Sequence, residues 1–125
     1  MKIVIVGLGL IGGSIAKALK QNTPHQVLAM DTNEDVLLDA CSCGAIDGKA
    51  SLSDLEQAEL VYLAIYPEDI LEFIRQYGGR LKPGCILTDT CGIKQEICAA
   101  MEELSQNAPY TFVAGHPMAG KEQSG

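Results

Sequence analysis

The run Lys2-Ile3-Val4-Ile5-Val6 passes directly into Gly7-Leu8-Gly9-Leu10-Ile11-Gly12, and glycines at that spacing after a β-branched apolar run leave few folds open. Four β-branched apolar residues, Ile3 to Val6, ended by glycine predict a strand buried on both faces, as in the middle of a parallel sheet. Ile15, Ala16 and Leu19 then recur at helical spacing, with Lys17 and Lys20 free to face water, so an amphipathic helix is predicted from about Gly12 to Lys20. A strand, a glycine turn and a helix in this order form the fingerprint of a dinucleotide site. Gly7 permits the tight turn, Gly9 leaves no side chain between backbone and pyrophosphate, and Gly12 lets helix and sheet approach closely. Leu10 and Ile11 belong to the same candidate site, because they open the helix whose amides would face the phosphates.

The rest of the chain repeats the alternation. Gln26 to Met30 is a second apolar run, reached through Asn22-Thr23-Pro24 and ending at Asp31. Asn33 is a predicted cap for a helix carrying Val36, Leu37 and Ala40, with Gly44 as its stop and Ala45-Ile46-Asp47 as a short third strand. Leu60 to Ile65 reads as a buried fourth strand, followed by a helix that opens at Pro67 and runs through Ile70, Leu71 and Ile74 to Gly78-Gly79. Cys85 to Asp89 is the fifth strand, Ile93 to Leu104 a helix, and Tyr110 to Ala114 the sixth strand. The expected fold is α/β, a doubly wound and mostly parallel Rossmann sheet in the order 3-2-1-4-5-6 with helices on both faces. The 125 residues are read as one domain, 1–125, and the end of the chain inside a glycine-rich loop predicts a further domain in the complete protein.

Charge narrows the partners. A net charge of -7 and scattered lysines and arginines argue against nucleic acid or an anionic membrane, so a phosphate would be held mainly by backbone amides. Asp31, nineteen residues after Gly12 at a strand end, is placed to accept hydrogen bonds from ribose hydroxyls and to repel a 2'-phosphate. Thr32 and Asn33 supply no compensating cation, so the expected cofactor is NAD. The alternative for Asp31 is an ordinary turn residue or helix cap. Cys41, Cys43, Cys85, Cys91 and Cys98 form no CxxC pair and are odd in number, which fits a reducing cytoplasm and neither a disulfide framework nor a metal site. Lys2 with the apolar stretch to Ala16 mimics a signal peptide, but its glycine spacing argues for the fingerprint. No apolar run approaches the ~20 residues of a membrane span.

The fifth and sixth strands end in Asp89-Thr90-Cys91-Gly92-Ile93-Lys94 and Gly115-His116-Pro117, both expected to border the nicotinamide. A histidine there, with an ordinary pKa of about 6.5, suits removal of a proton from a substrate hydroxyl while hydride leaves the carbon; the alternative is a structural histidine. Cys91 has no base beside it in sequence and reads as inert. His25 reads as solvated, Tyr66 as a ring beside the cofactor or at the surface, Lys94 as an exposed residue at a helix start or a group that helps hold a carboxylate, and Lys121 and Glu122 as loop charges.

Gly115-His116-Pro117-Met118-Ala119-Gly120, with Glu122 and Ser124-Gly125, resembles the GHPMAG-x-E-x-SG segment of the prephenate dehydrogenase family. Gly7 to Ser14, Asp31, Asp89 and Lys94 extend the resemblance over the chain as that family's nucleotide-binding domain. It implies NAD-dependent oxidative decarboxylation of prephenate to 4-hydroxyphenylpyruvate in tyrosine biosynthesis, with His116 as the catalytic base. It also implies a helical dimerisation and substrate domain outside these residues, hence a homodimer in the complete protein and an inactive isolated chain. Gly92 departs from the family's D-x-x-S-x-K segment, so no catalytic role is carried onto it. Arg75 and Arg80 do not match the family's substrate-binding arginines. Arogenate dehydrogenase, and a dinucleotide-binding module without catalysis, remain the alternatives.

Overall fold

The computed structural model describes residues 1–89 and 95–113. Six parallel strands, β1 (Lys2–Val6), β2 (Gln26–Met30), β3 (Gly48–Lys49), β4 (Leu60–Leu63), β5 (Ile86–Asp89) and β6 (Thr111–Val113), lie in the order β3-β2-β1-β4-β5-β6. The doubly wound arrangement expected from the sequence is therefore the one observed. Helices α1 (Leu10–Asn22), α2 (Glu34–Ser42), α3 (Leu52–Gln57), α4 (Pro67–Tyr77) and α5 (Gln95–Leu104) make the crossovers.

Strand alternation divides the core in two. Ile3 and Ile5 of β1 point to one face with Val27 and Ala29 of β2, where Ala16 of α1 and Leu37 of α2 cover them. Val4 and Val6 point to the other face with Val61, Leu63 and Leu87, beneath Leu55 of α3 and Ile70, Phe73 and Ile74 of α4. Ile3, Ile5, Val4 and Val61 are wholly excluded from solvent, so each contributes about 1.5–3 kcal/mol of hydrophobic stabilisation. The register aligns the carboxyl ends of four strands, since Val6 pairs with Met30 and Leu63, and Leu63 pairs with Asp89. Gly7, Asp31, Ala64 and Asp89 consequently stand along one sheet edge.

Two elements differ from expectation. The third strand is Gly48–Lys49 rather than Ala45-Ile46-Asp47. Ala45 and Ile46 are buried, but their amides donate back to the Ala40 carbonyl and close the end of α2. Asp47 bridges sideways instead: its carboxylate accepts from the Val27 amide at 2.7 Å and pairs with Lys20 at 2.6 Å. The second difference is α3, which was not anticipated. Ser51 caps it reciprocally with Asp54: the Ser51 hydroxyl accepts from the Asp54 amide, and the Asp54 carboxylate accepts from the Ser51 amide.

Asp54 also ties this short helix to the sheet, its Oδ1 lying 2.9 Å from the Lys2 ammonium. The Ser51 amide first, then the Lys2 ammonium and the Ser51 hydroxyl, hold its carboxyl down from 3.8 to about 2. With the folded-state value below the unfolded one, this stabilisation is complete above pH 3.8 and disappears as the pH falls through about 2. Urea unfolding followed by circular dichroism should show Asp54→Asn flattening the loss of stability across that window; a slope equal to that of the unsubstituted chain would contradict the assignment.

Candidate dinucleotide cleft

The turn between β1 and α1 is shaped by contacts that exclude side chains. Gly7 has φ 96°, in the left-handed region, and donates its amide to the Met30 carbonyl at 2.8 Å. A Cβ there would strike the Ala64 carbonyl oxygen and come within 2.9 Å of Ile65 Cγ2. A Cβ on Gly12 would overlap the Gly7 carbonyl oxygen and stand 3.2 Å from Ala64 Cβ. Both glycines are thus required by the chain's own packing.

Gly9 is different. It is the N-cap of α1, with φ −66°, and a Cβ placed on it meets nothing within 4 Å. Among the described residues, neither strain nor packing accounts for a glycine here. Its absent side chain leaves the helix N-terminus uncovered, and no side chain caps that end. The first amides of a helix lack intrahelical partners and carry a partial positive charge, so this end of α1 presents donors to an anion. Leu10 and Ile11 contribute the first backbone positions of the helix.

Asp31 lies opposite this turn, half-buried. Its Oδ2 accepts from the Leu8 amide at 2.8 Å and its Oδ1 from the Asn33 amide at 2.9 Å. The carboxylate therefore clamps the glycine turn to the loop leaving β2. Asn33, as expected, caps α2 by accepting from the Asp35 and Val36 amides. Each carboxylate oxygen retains acceptor capacity beyond the one bond described, so the clamp does not exhaust Asp31.

These groups open onto a cleft of about 1040 Å³ that runs from Gly7, Gly9 and Gly12 past Asp31 to Tyr66 and Phe73 of α4. Tyr66 is 73% exposed and precedes Pro67, which occupies the first turn of α4. Asp89, 2% exposed, reaches the same cleft from the end of β5. His25 lies elsewhere, its Nδ1 3.1 Å from the amino terminus at the opposite end of the sheet. Cys85 is buried, and desolvation pushes its thiol up to about 11, which leaves it unreactive near neutral pH. Cys91, Gly92, Lys94, His116, Lys121 and Glu122 fall outside the described residues. Sequence reasoning did not single out Glu34, Lys49, Asp69, Glu72 or Phe73 as lining groups. The early start of α4 at Pro67, just beyond the strand ends, is the signal that Asp69, Glu72 and Phe73 would face the opening.

Residues 15–125 match the family model described as the prephenate dehydrogenase nucleotide-binding domain. The chain belongs to this family. It is 36% identical over 126 residues to the prephenate dehydrogenase of Lactococcus lactis subsp. cremoris, covering 99% of this chain and 36% of that enzyme. Among solved structures, the Synechocystis arogenate dehydrogenase superposes with a TM-score of 0.82 at 30% identity, over 97% of this chain and 42% of the other. A prephenate dehydrogenase from Aquifex aeolicus, in complex with hydroxyphenyl propionate and NAD+, gives 0.81 at 28% identity over 98% and 43%. The chain thus spans less than half the length of the prephenate and arogenate dehydrogenases it resembles. Among the described residues, no helix is long and apolar enough to cross a membrane.

The two kinds of glycine separate experimentally. Gly12→Ala should lower unfolding stability by about 2 kcal/mol through its overlap with the Gly7 carbonyl, whereas Gly9→Ala should stay within about 0.5 kcal/mol of the parent. Thermal melts of the two variants decide the matter, and equal losses would contradict the distinction.

Proposed function

We propose that this chain is the NAD-binding part of a prephenate dehydrogenase. The observation that carries the reading is Gly9: its missing side chain opens a helix N-terminus without a side-chain cap toward a cleft, although no packing among the described residues needs glycine there. A pyrophosphate fits that cradle, held by the amides at Leu10, Ile11 and Gly12 and by the α1 dipole. Asp31, clamped by the Leu8 and Asn33 amides, stands where it can accept from the ribose hydroxyls, and its charge disfavours a 2'-phosphate. Bound NAD would supply the hydride acceptor.

His116 carries the proton chemistry in this reading. Its imidazole accepts the proton of the substrate's ring hydroxyl as the carbon bearing it is oxidised, and loss of carbon dioxide then aromatises the ring. The GHPMAG-x-E-x-SG match and the family membership support that role. The greater length of the relatives supports a further domain, which the family resemblance implies is helical, completes the substrate site and joins two subunits. Free Cys41, Cys43 and Cys85 fit a cytoplasmic enzyme. The likeness to the Synechocystis arogenate dehydrogenase favours arogenate as the second reading for the substrate.

In the full-length protein, His116→Asn should reduce kcat by about 10²-fold or more with NAD affinity nearly unchanged, as befits a proton acceptor. Gly9→Ala should do the reverse, weakening NAD binding by about tenfold or more, since its Cβ stands between backbone and pyrophosphate. Steady-state kinetics with calorimetric titration separate the two, and parallel losses of turnover and NAD affinity in His116→Asn would overturn its role.

A further inference from the structure

Among the described residues, the cleft is lined by five carboxylates, Asp31, Glu34, Asp69, Glu72 and Asp89, and by one cation, Lys49. Lys49 sits on β3 opposite Ala29, two residues before Asp31 on the neighbouring strand. Its Nζ lies 2.9 Å from Oε2 of Glu34, in the first turn of α2. The ion pair therefore bridges β3 to α2 beside the turn of residues 31–33. With side chains 60% and 65% exposed, such a pair contributes under about 1 kcal/mol to stability. Its consequence for the cleft is larger, because it engages the one ammonium group that lines the cleft among the described residues.

We infer that Glu34 is a second determinant of dinucleotide choice, acting as a positioning residue that keeps Lys49 from serving a 2'-phosphate. The inference rests on the reading of this cleft as a dinucleotide site. A 2'-phosphate brings close to two negative charges to the Asp31 side of the cleft and needs a cation to offset them. Lys49 has the reach of a flexible four-carbon stem, but Glu34 already holds it and adds a like charge of its own. Selection against NADP is thus distributed: Asp31 repels the phosphate directly, and Glu34 occupies the one lining cation, among the described residues, that could compensate. Replacing Asp31 alone leaves that second barrier in place.

Calorimetric titration of the chain with NAD and with NADP tests this on Asp31→Asn, Glu34→Gln, the double variant, and the triple variant that adds Lys49→Met. The NADP-to-NAD affinity ratio of the double variant should exceed that of Asp31→Asn by about fivefold, and Lys49→Met should cancel the gain. A Glu34→Gln change that moves both dinucleotides equally, or a gain that survives the loss of Lys49, would overturn the inference while leaving the NAD reading intact. An unsubstituted, folded chain that bound neither dinucleotide would overturn both.

Discussion

The backbone of α1 approaches the turn leaving β1 so closely that the Gly7 carbonyl oxygen occupies the space a Gly12 Cβ would need. That contact fixes the position of the helix N-terminus relative to the sheet edge. The Val6, Met30, Leu63 and Asp89 strand ends lie in register beside it, so the placement of one helix defines the floor of the cleft. Loss of the approach would displace the helix amides from the loop that Asp31 clamps through Leu8. The β-branched core of β1, buried on both faces, provides the rigid support that such a contact needs.

An acidic chain with an anionic ligand is a physical contradiction only if side chains must do the binding. On the proposed reading the attraction would come from backbone amides and the dipole of α1, which need no lysine or arginine. Side-chain charge is left for discrimination. Asp31 serves the architecture as a clamp between two backbone amides, and its remaining acceptor capacity is what the proposed ligand would use. Glu34 and Lys49 extend that discrimination to the rim, where a weak surface pair has more effect on an incoming phosphate than on stability.

The cofactor half was legible because its signals are local. Glycine spacing, a strand-terminal aspartate and alternating periodicity each occupy a few consecutive residues, and the observed strand order was the one expected from the glycine fingerprint. What escaped reading depended on contacts between distant residues. Ala45 and Ile46 have strand composition, but the end of α2 captures their amides, and the sheet pairing passes to Gly48 and Lys49. Helix α3 is short enough that its apolar periodicity is carried by Leu55 alone among its buried residues, and only the Ser51 and Asp54 pairing marks its start. Glu34 and Lys49 are fifteen residues apart, and nothing local announces that they meet. Lys94 and His116 were named as motif residues, and they lie outside the described residues.

The central claim is that the β1 to α1 turn and the Asp31 loop together form the site of a dinucleotide. Amide chemical-shift mapping during titration of this chain with NAD addresses it most directly. The account predicts shifts concentrated at Leu8 to Gly12 and Asp31 to Asn33, extending to Tyr66, with the opposite sheet edge around His25 and Gly84 unmoved. Saturable shifts centred on that opposite edge, or none in a folded chain at millimolar NAD, about the weak limit of a specific site, would contradict it.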